Sequence, residues 1–263
     1  MNVADDTTPP TCTSQDDGNF QFSRTSIHLT ATAVESQSSI RSFWVRLGTT
    51  PGGSDIMGFT EYDQNNDPTF DRTITFASVP IGTTIYADVV ARNIEGLDGW
   101  SSTNGIVVAD PERMPTSFQR IRGTMVSGNN VSAVQLSDNV KMEVRPGVTF
   151  TTVQDSIELI FVGNVPLMPL SSINLKVESS ATSSSIRIEI DMWDYVAGSW
   201  FTVRSTNSSG TDTLYQHNRA DWERFRNAAT GEVRARVRYK AIGPTLSYPW
   251  TARLDWVHWT LSD

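Results

Sequence analysis

The chain has 263 residues, 38% of them hydrophobic, enough for one large domain or two ordinary ones with cores of their own. A formal charge of −8 argues against a general attraction to nucleic acid or an anionic membrane, and no apolar stretch approaches the ~20 residues of a membrane span. The single cysteine, Cys12, excludes an internal disulfide and a cysteine zinc cluster, and the scattered His28, His217 and His258 leave little for a histidine metal site.

The amino terminus MNVADDTTPP has no basic and apolar signal region, so an exported chain would have lost its signal or carry it elsewhere. Beyond it, turn-forming residues recur every ten positions or so and separate short runs rich in Val, Ile, Thr, Phe and Trp, the texture of an all-β chain. Ile27, Leu29, Ala31 and Ala33 alternate with polar neighbours and predict a strand with one core face. His28 falls on its wet phase as a structural histidine. In the loop DQNND, Asp63, Asn65 and Asp67 have the odd-position oxygen spacing of a calcium loop, but Pro68 stands where such a loop needs glycine, so a polar hairpin loop is the favoured reading. Asp16 and Asp17 before Gly18 read as a turn.

The run VRLGTTPGGSDIMGFTEY followed by IYADVVARNIEGLDGWSS resembles the fibronectin type III-like modules of many secreted bacterial proteins. The resemblance covers about residues 5–110 and rests on Gly48 to Gly53 after the third strand and on Ala91, Asn93 and Gly96 after the sixth; Gly52 and Gly53 suit a tight reversal with positive φ. It implies a seven-stranded immunoglobulin-like sandwich acting as a spacer or protein-contact surface. It also implies a tyrosine corner at residue 85, which in this chain is Ile85 with Tyr86 beside it. ADPERMPTS, with two prolines and no apolar periodicity, marks the boundary, giving residues 1–110 as the first domain, 111–116 as a linker and 117–263 as the second domain.

In the second domain period-two alternation recurs at Val140, Met142 and Val144, at Ile157, Leu159 and Phe161, at Ile173, Leu175 and Val177, at Ile186, Ile188, Ile190 and Met192, and at Val233, Ala235, Val237 and Tyr239. About eight such strands predict a jelly-roll-like double sheet. WDYVAGSW has the layout of a hairpin with aromatic shoulders, and Asn218 or Asp221 could cap a short helical turn carrying Trp222 and Phe225. RIRGTMVSGN, VKMEVRPGV, IEIDMWDYVAGSW and the stretch from ATGEVRARVRYK to WVHWTL are together similar to a domain at the ends of secreted proteins of environmental bacteria, one with no established activity.

Candidate ligand-binding residues are Trp193, Tyr195, Tyr248 and Trp250 as sugar-stacking rings, against which stands the tendency of tryptophan to be core. Arg234, Arg236 and Arg238, continued by Lys240, form a basic row that could hold an anion or acidic polysaccharide; pairing with carboxylates such as Glu189 and Asp191 is the favoured reading. Arginine outnumbers lysine eighteen to three, which suits planar pairing. No nucleophile elbow, phosphate loop, HExxH or dinucleotide fingerprint occurs, and no cofactor is expected. The expected role is a non-catalytic extracellular or cell-surface protein for adhesion, surface display or assembly of an extracellular structure, whose partners are other copies of itself or other extracellular proteins, with no nucleic acid and no membrane insertion. The alternative is a carbohydrate-binding module that takes polysaccharide.

Overall fold

The computed structural model describes residues 6–151, 154–243 and 249–263, and divides the chain into two compact units, Met1–Asp110 and Pro111–Asp263. Both are β-sandwiches. Among the described residues no helix is long and apolar enough to cross a membrane.

In the first unit, β1 (Thr11–Asp16), β3 (Ser26–Val34) and β6 (Thr69–Thr75) form one antiparallel sheet in the order β1-β3-β6. The second sheet contains β2 (Phe20–Gln21), β4 (Ile40–Gly48), β5 (Met57–Asp63), β7 (Thr84–Asn93), β8 (Asp98–Ser102) and β9 (Ile106–Val108), ordered β2-β9-β7-β4-β5 with β8 also on β7. This is an immunoglobulin-like sandwich. Ile27, Leu29, Ala31 and Ala33 of β3 face Phe43, Val45 and Leu47 of β4 and Ile85, Ala87, Val89 and Ala91 of β7 in one core, so the alternating positions of the sequence are the buried ones. At the GTTPGG turn only Gly52 takes positive φ, at 78°, and Asp55 fixes the loop by accepting from Thr49 N and Oγ1 at 2.9 and 2.8 Å. Asn93 is fully buried at the end of β7, where its Oδ1 accepts from Leu97 N at 2.8 Å.

The second unit has β10 (Glu112–Arg113), β11 (Pro115–Arg122), β12 (Thr124–Ser127), β13 (Met142–Arg145), β14 (Ile157–Asn164), β15 (Ser172–Ala181), β16 (Ile186–Asp194), β17 (Ser199–Asn207), β18 (Thr213–Arg219), β19 (Glu232–Ala241) and β20 (Ala252–Ser262). One sheet runs β12-β13-β20-β15-β18 with β10 against β20, and the other β11-β14-β19-β16-β17. Strands β13, β20, β15 and β18 face β14, β19, β16 and β17, and the chain crosses between sheets at every step except β12–β13 and the β16–β17 hairpin. That is the jelly-roll arrangement. The helical turn is one turn of 3₁₀ helix, Trp222–Phe225, with both aromatic side chains buried.

Two boundaries differ from expectation. Residues 111–116 are not a free linker, because Glu112 and Arg113 pair with Thr260 and Trp259 and Pro115 opens β11. An edge position on β20 was open there, and a short segment preceding proline is extended in any case. Val140 lies outside β13 and is exposed, because Asp138 turns the chain by accepting from Val140 N at 2.9 Å and Asn139 takes a φ of 65°.

Gly163 on β14 lies beneath the fully buried Trp259 ring of the opposite sheet; a Cβ there would sit 2.6 Å from Trp259 Cζ3. Gly163→Ala should therefore lower stability by about 1–3 kcal/mol through overpacking. Urea unfolding checks this against Gly210→Ala, where a Cβ meets nothing within 4 Å and the change should stay within about 0.5 kcal/mol.

Candidate functional site

The outer face of the five-stranded sheet in the second unit carries the most organised polar chemistry on the chain. Because Val233, Ala235, Val237 and Tyr239 of β19 are fully buried, pleating sends Arg234, Arg236 and Arg238 outward. Register then decides their neighbours: Arg236 lies opposite Asp191 of β16 and Ile160 of β14, and Arg238 opposite Glu189 and Glu158.

Asp191 is the centre of this face. It has no solvent exposure, yet Oδ2 accepts from Arg236 Nε and Arg238 Nε at 2.8 Å each, while Oδ1 accepts from Thr202 Oγ1 at 2.6 Å and Arg238 Nη2 at 3.0 Å. Arg238 reaches further to Asp155 at 2.9 Å and Glu189 at 2.8 Å, and Arg236 to Glu158 at 3.3 Å. Burial works to raise the Asp191 carboxyl, but hydrogen bonds from Arg238 and Thr202 and the two guanidinium charges outweigh it and hold the group below the ordinary carboxylate range. Arg238, disfavoured as a cation by burial, is held above its usual value by Asp191 and Asp155. The basic row is thus occupied by carboxylates on its own sheet, and its charge is not offered to an anion.

Aromatic rings flank this network. Trp193 of β16 and Trp200 of β17 are cross-strand partners, both half-buried, with centroids 5.2 Å apart and planes at 75°. The Arg236 guanidinium lies over the Trp200 ring, 4.6 Å from its centroid, so the ion network and the aromatic pair share one side chain. The hairpin tip is fixed by Asp194, almost fully buried, whose Oδ1 accepts from Val196 N and Ala197 N at 2.9 Å and whose Oδ2 accepts from Arg224 Nε at 2.8 Å. Tyr195 N donates to Arg224 O at 2.7 Å, and Tyr195 Oη donates to Glu232 at 2.8 Å, where Arg234 Nε also donates at 2.6 Å. Burial, followed by the neighbouring Glu232, pushes the Tyr195 hydroxyl well above its usual range.

The structure therefore brings Trp193, Tyr195, Arg234, Arg236 and Arg238 onto one region of one face. Trp250 is not there: it is 2% exposed and packed in the core, leaving no ring face for a ligand. Tyr248 lies outside the described residues. The calcium pattern of DQNND is not realised either. Asp63 Oδ1 accepts from Asn65 N at 3.0 Å and Asp67 Oδ1 from Thr69 N and Oγ1 at 2.8 and 2.7 Å, so each carboxylate closes its own turn, and Asn65 and Asn66 adopt positive φ to reverse the hairpin. Asp16 likewise closes a turn on Gly18 N at 3.1 Å. His28 stands between Asp17 and Asp71 at 2.8 and 2.9 Å, and the buried His258 is 3.0 Å from Glu112.

The sequence places Trp200 on the second shoulder of the hairpin without marking it as a ligand contact, and it shows neither Thr202 nor the burial of Asp191; the signal for all three is the pairing register of the hairpin. A second aromatic group on the first unit also escaped it. Phe59 of β5 and Trp100 of β8 are 40% and 57% exposed with centroids 5.8 Å apart, and the Arg46 guanidinium lies 4.8 Å from the Phe59 centroid.

No family model and no curated protein matches the chain. Among solved structures it is similar to a CBM4 structure at 10% identity and a TM-score of 0.35, covering 57% of this chain and 89% of that one. It is also similar to a family 29 carbohydrate-binding module at 8% identity and a TM-score of 0.31, covering 55% and 78%. A structure from work on promiscuous carbohydrate-binding modules of the β-sandwich superfamily aligns over 97% of this chain and 99% of its own, at 9% identity and a TM-score of 0.29.

Asp191→Asn should cost about 3 kcal/mol at neutral pH, because two partly buried guanidinium groups lose the shared counter-charge of a fully buried carboxylate. The folded-state pKa of Asp191 is depressed, so its stabilisation is fully present above the ordinary carboxylate value of ~3.9 and disappears as pH falls through the folded value. Unfolding curves of the wild type and the variant should accordingly converge as pH falls below about 4 and separate on return to pH 7.

Proposed function

We propose that the second unit is a non-catalytic carbohydrate-binding module that holds a neutral polysaccharide across Trp193 and Trp200. The observation that carries this reading is the half-exposed perpendicular tryptophan pair, fixed from one side by Arg236 and from the other by the Asp194-closed hairpin tip. Sugar rings present apolar C–H faces and a fringe of hydroxyls, which suits aromatic surface bordered by hydrogen-bonding groups. Rings already held in place lose little freedom on binding, so modest contact area still yields affinity. Because Arg236 and Arg238 are neutralised by Asp191, Glu158, Asp155 and Glu189, the face favours neutral over acidic glycans. A polysaccharide partner implies an extracellular or cell-surface setting, with the first sandwich as a fibronectin type III-like spacer.

One observation favours a second reading, adhesion or assembly of an extracellular structure. The exposed Phe59–Trp100 pair lies on the outer face of the first unit, where isolated aromatic surface suits a protein contact.

A glycan array followed by calorimetry on the best ligand tests the sugar reading. Binding should be insensitive to salt, and Trp193→Ala and Trp200→Ala should each weaken it at least tenfold, about 1.4 kcal/mol, with circular dichroism unchanged. A silent array with folded protein would overturn it. Light scattering across a concentration series addresses the second reading, which requires self-association that Trp100→Ser abolishes.

A further inference from the structure

The outer face of the other sheet in the second unit holds an acidic group of a different character. Between β15 and β20 the register slips: Glu178 lies opposite Trp256 and Ser179 opposite Leu254, leaving Asp255 as the extra residue of a β-bulge. The bulge turns the Asp255 side chain out of the strand's alternation and toward Glu178. Asp255 is 2% exposed; Oδ2 accepts from Asn139 N at 3.2 Å, and Oδ1 is buried with no hydrogen-bond partner among the described residues. Asp212, immediately before β18, completes a trio in which one carboxylate oxygen from each residue lies within 4.8 Å of the other two.

The surrounding groups satisfy this trio only in part. Ser137 Oγ donates to Glu178 at 2.7 Å, Ser180 Oγ donates to Asp212 at 2.8 Å, and Lys141 Nζ pairs with Asp212. Lys141 alone pairs directly with the trio, and Arg253, whose charge also reaches Asp212, is already paired with Glu143, so negative charge stays in excess at a partly buried place, where charge without a counter-charge is unfavourable. Asp255, a buried side chain with one oxygen left unpartnered, supplies a carboxylate oxygen to the same gap.

We propose that Glu178, Asp212 and Asp255 bind a calcium ion. An all-oxygen donor set selects a hard cation over zinc or copper, which prefer nitrogen and sulfur. Donors drawn from a loop, two strands and a bulge suit calcium, which takes about six to eight oxygens in irregular geometry, better than magnesium, which demands a near-ideal octahedron. The ligands come from β15, the entry to β18 and the β20 bulge, while Ser137 and Asn139 bring in the loop between the 3₁₀ turn Val131–Val134 and β13. The ion therefore ties that loop to three strands and acts on stability, independently of sugar binding at the tryptophan face.

The test uses the full chain freed of metal with a chelator and dialysed. Millimolar calcium should raise the melting temperature by about 5–10 °C, with magnesium giving less than half that shift. Terbium should show luminescence sensitised by excitation of tryptophan, Trp256 being the chain neighbour of Asp255. Asp255→Asn should abolish both responses while leaving the metal-free melting temperature equal or higher, since it removes an uncompensated buried charge. Glu178→Gln provides the same test should Asp255→Asn not fold, and Asp67→Asn should leave both responses intact. No calcium shift and no terbium signal in the wild-type chain, or responses that persist in Asp255→Asn and Glu178→Gln, would overturn the proposal.

Discussion

A carboxylate with no access to water must find cations or lose its charge, and this requirement at Asp191 organises the outer face of the five-stranded sheet. Arg236 and Arg238 both direct Nε to the same oxygen of Asp191, which fixes the planes of two guanidinium groups on adjacent outward positions of β19. So held, Arg236 lies over the Trp200 ring, and Trp200 in turn meets Trp193 in an edge-type contact. An exposed ion pair is worth at most about 1 kcal/mol and would not hold such an arrangement. The cooperative case, a buried acceptor satisfied by several charged donors, does hold it, since removing one member leaves the others unpaired in low dielectric. The tryptophan pair is therefore positioned by electrostatics as much as by its own packing.

Much of the fold is legible in the sequence because a sandwich buries one face of each strand. Ile186, Ile188, Ile190 and Met192, and likewise Val233, Ala235, Val237 and Tyr239, are buried as their alternation requires. The outward direction of Trp193 follows from the same phase. What alternation cannot carry is pairing between distant strands. Trp200 meets Trp193 only through the hairpin register, and the burial of Asp191 depends on side chains forty-five and forty-seven residues away. Trp250 shows the reverse limit: it lies outside β20, where no periodicity states its direction, and tertiary packing takes it into the core.

The two acidic motifs illustrate the same division. Asp63, Asn65 and Asp67 are visible as a pattern because they are close in sequence, and for that reason their side chains find nearby backbone N–H groups before they find one another. Glu178, Asp212 and Asp255 have no pattern to read. They converge because β15, β18 and β20 are neighbours in one sheet and because one extra residue in β20 redirects a side chain.

Asp191 and Asp255, both aspartates closed to solvent on opposite sheets of one sandwich, show how compensation rather than burial sets the character of a buried acid. At Asp191, burial is outweighed by Arg238, Thr202 and Arg236, and the carboxyl is held below its ordinary range. At Asp255, burial is opposed only by Asn139 N and the Lys141 charge and is reinforced by Glu178 and Asp212, so the carboxyl is pushed above it. The first is a finished network whose donors and acceptors account for one another. The second has oxygen donors in excess of cations, and an excess maintained by a backbone bulge is a structural demand for positive charge that the chain's own side chains only partly meet.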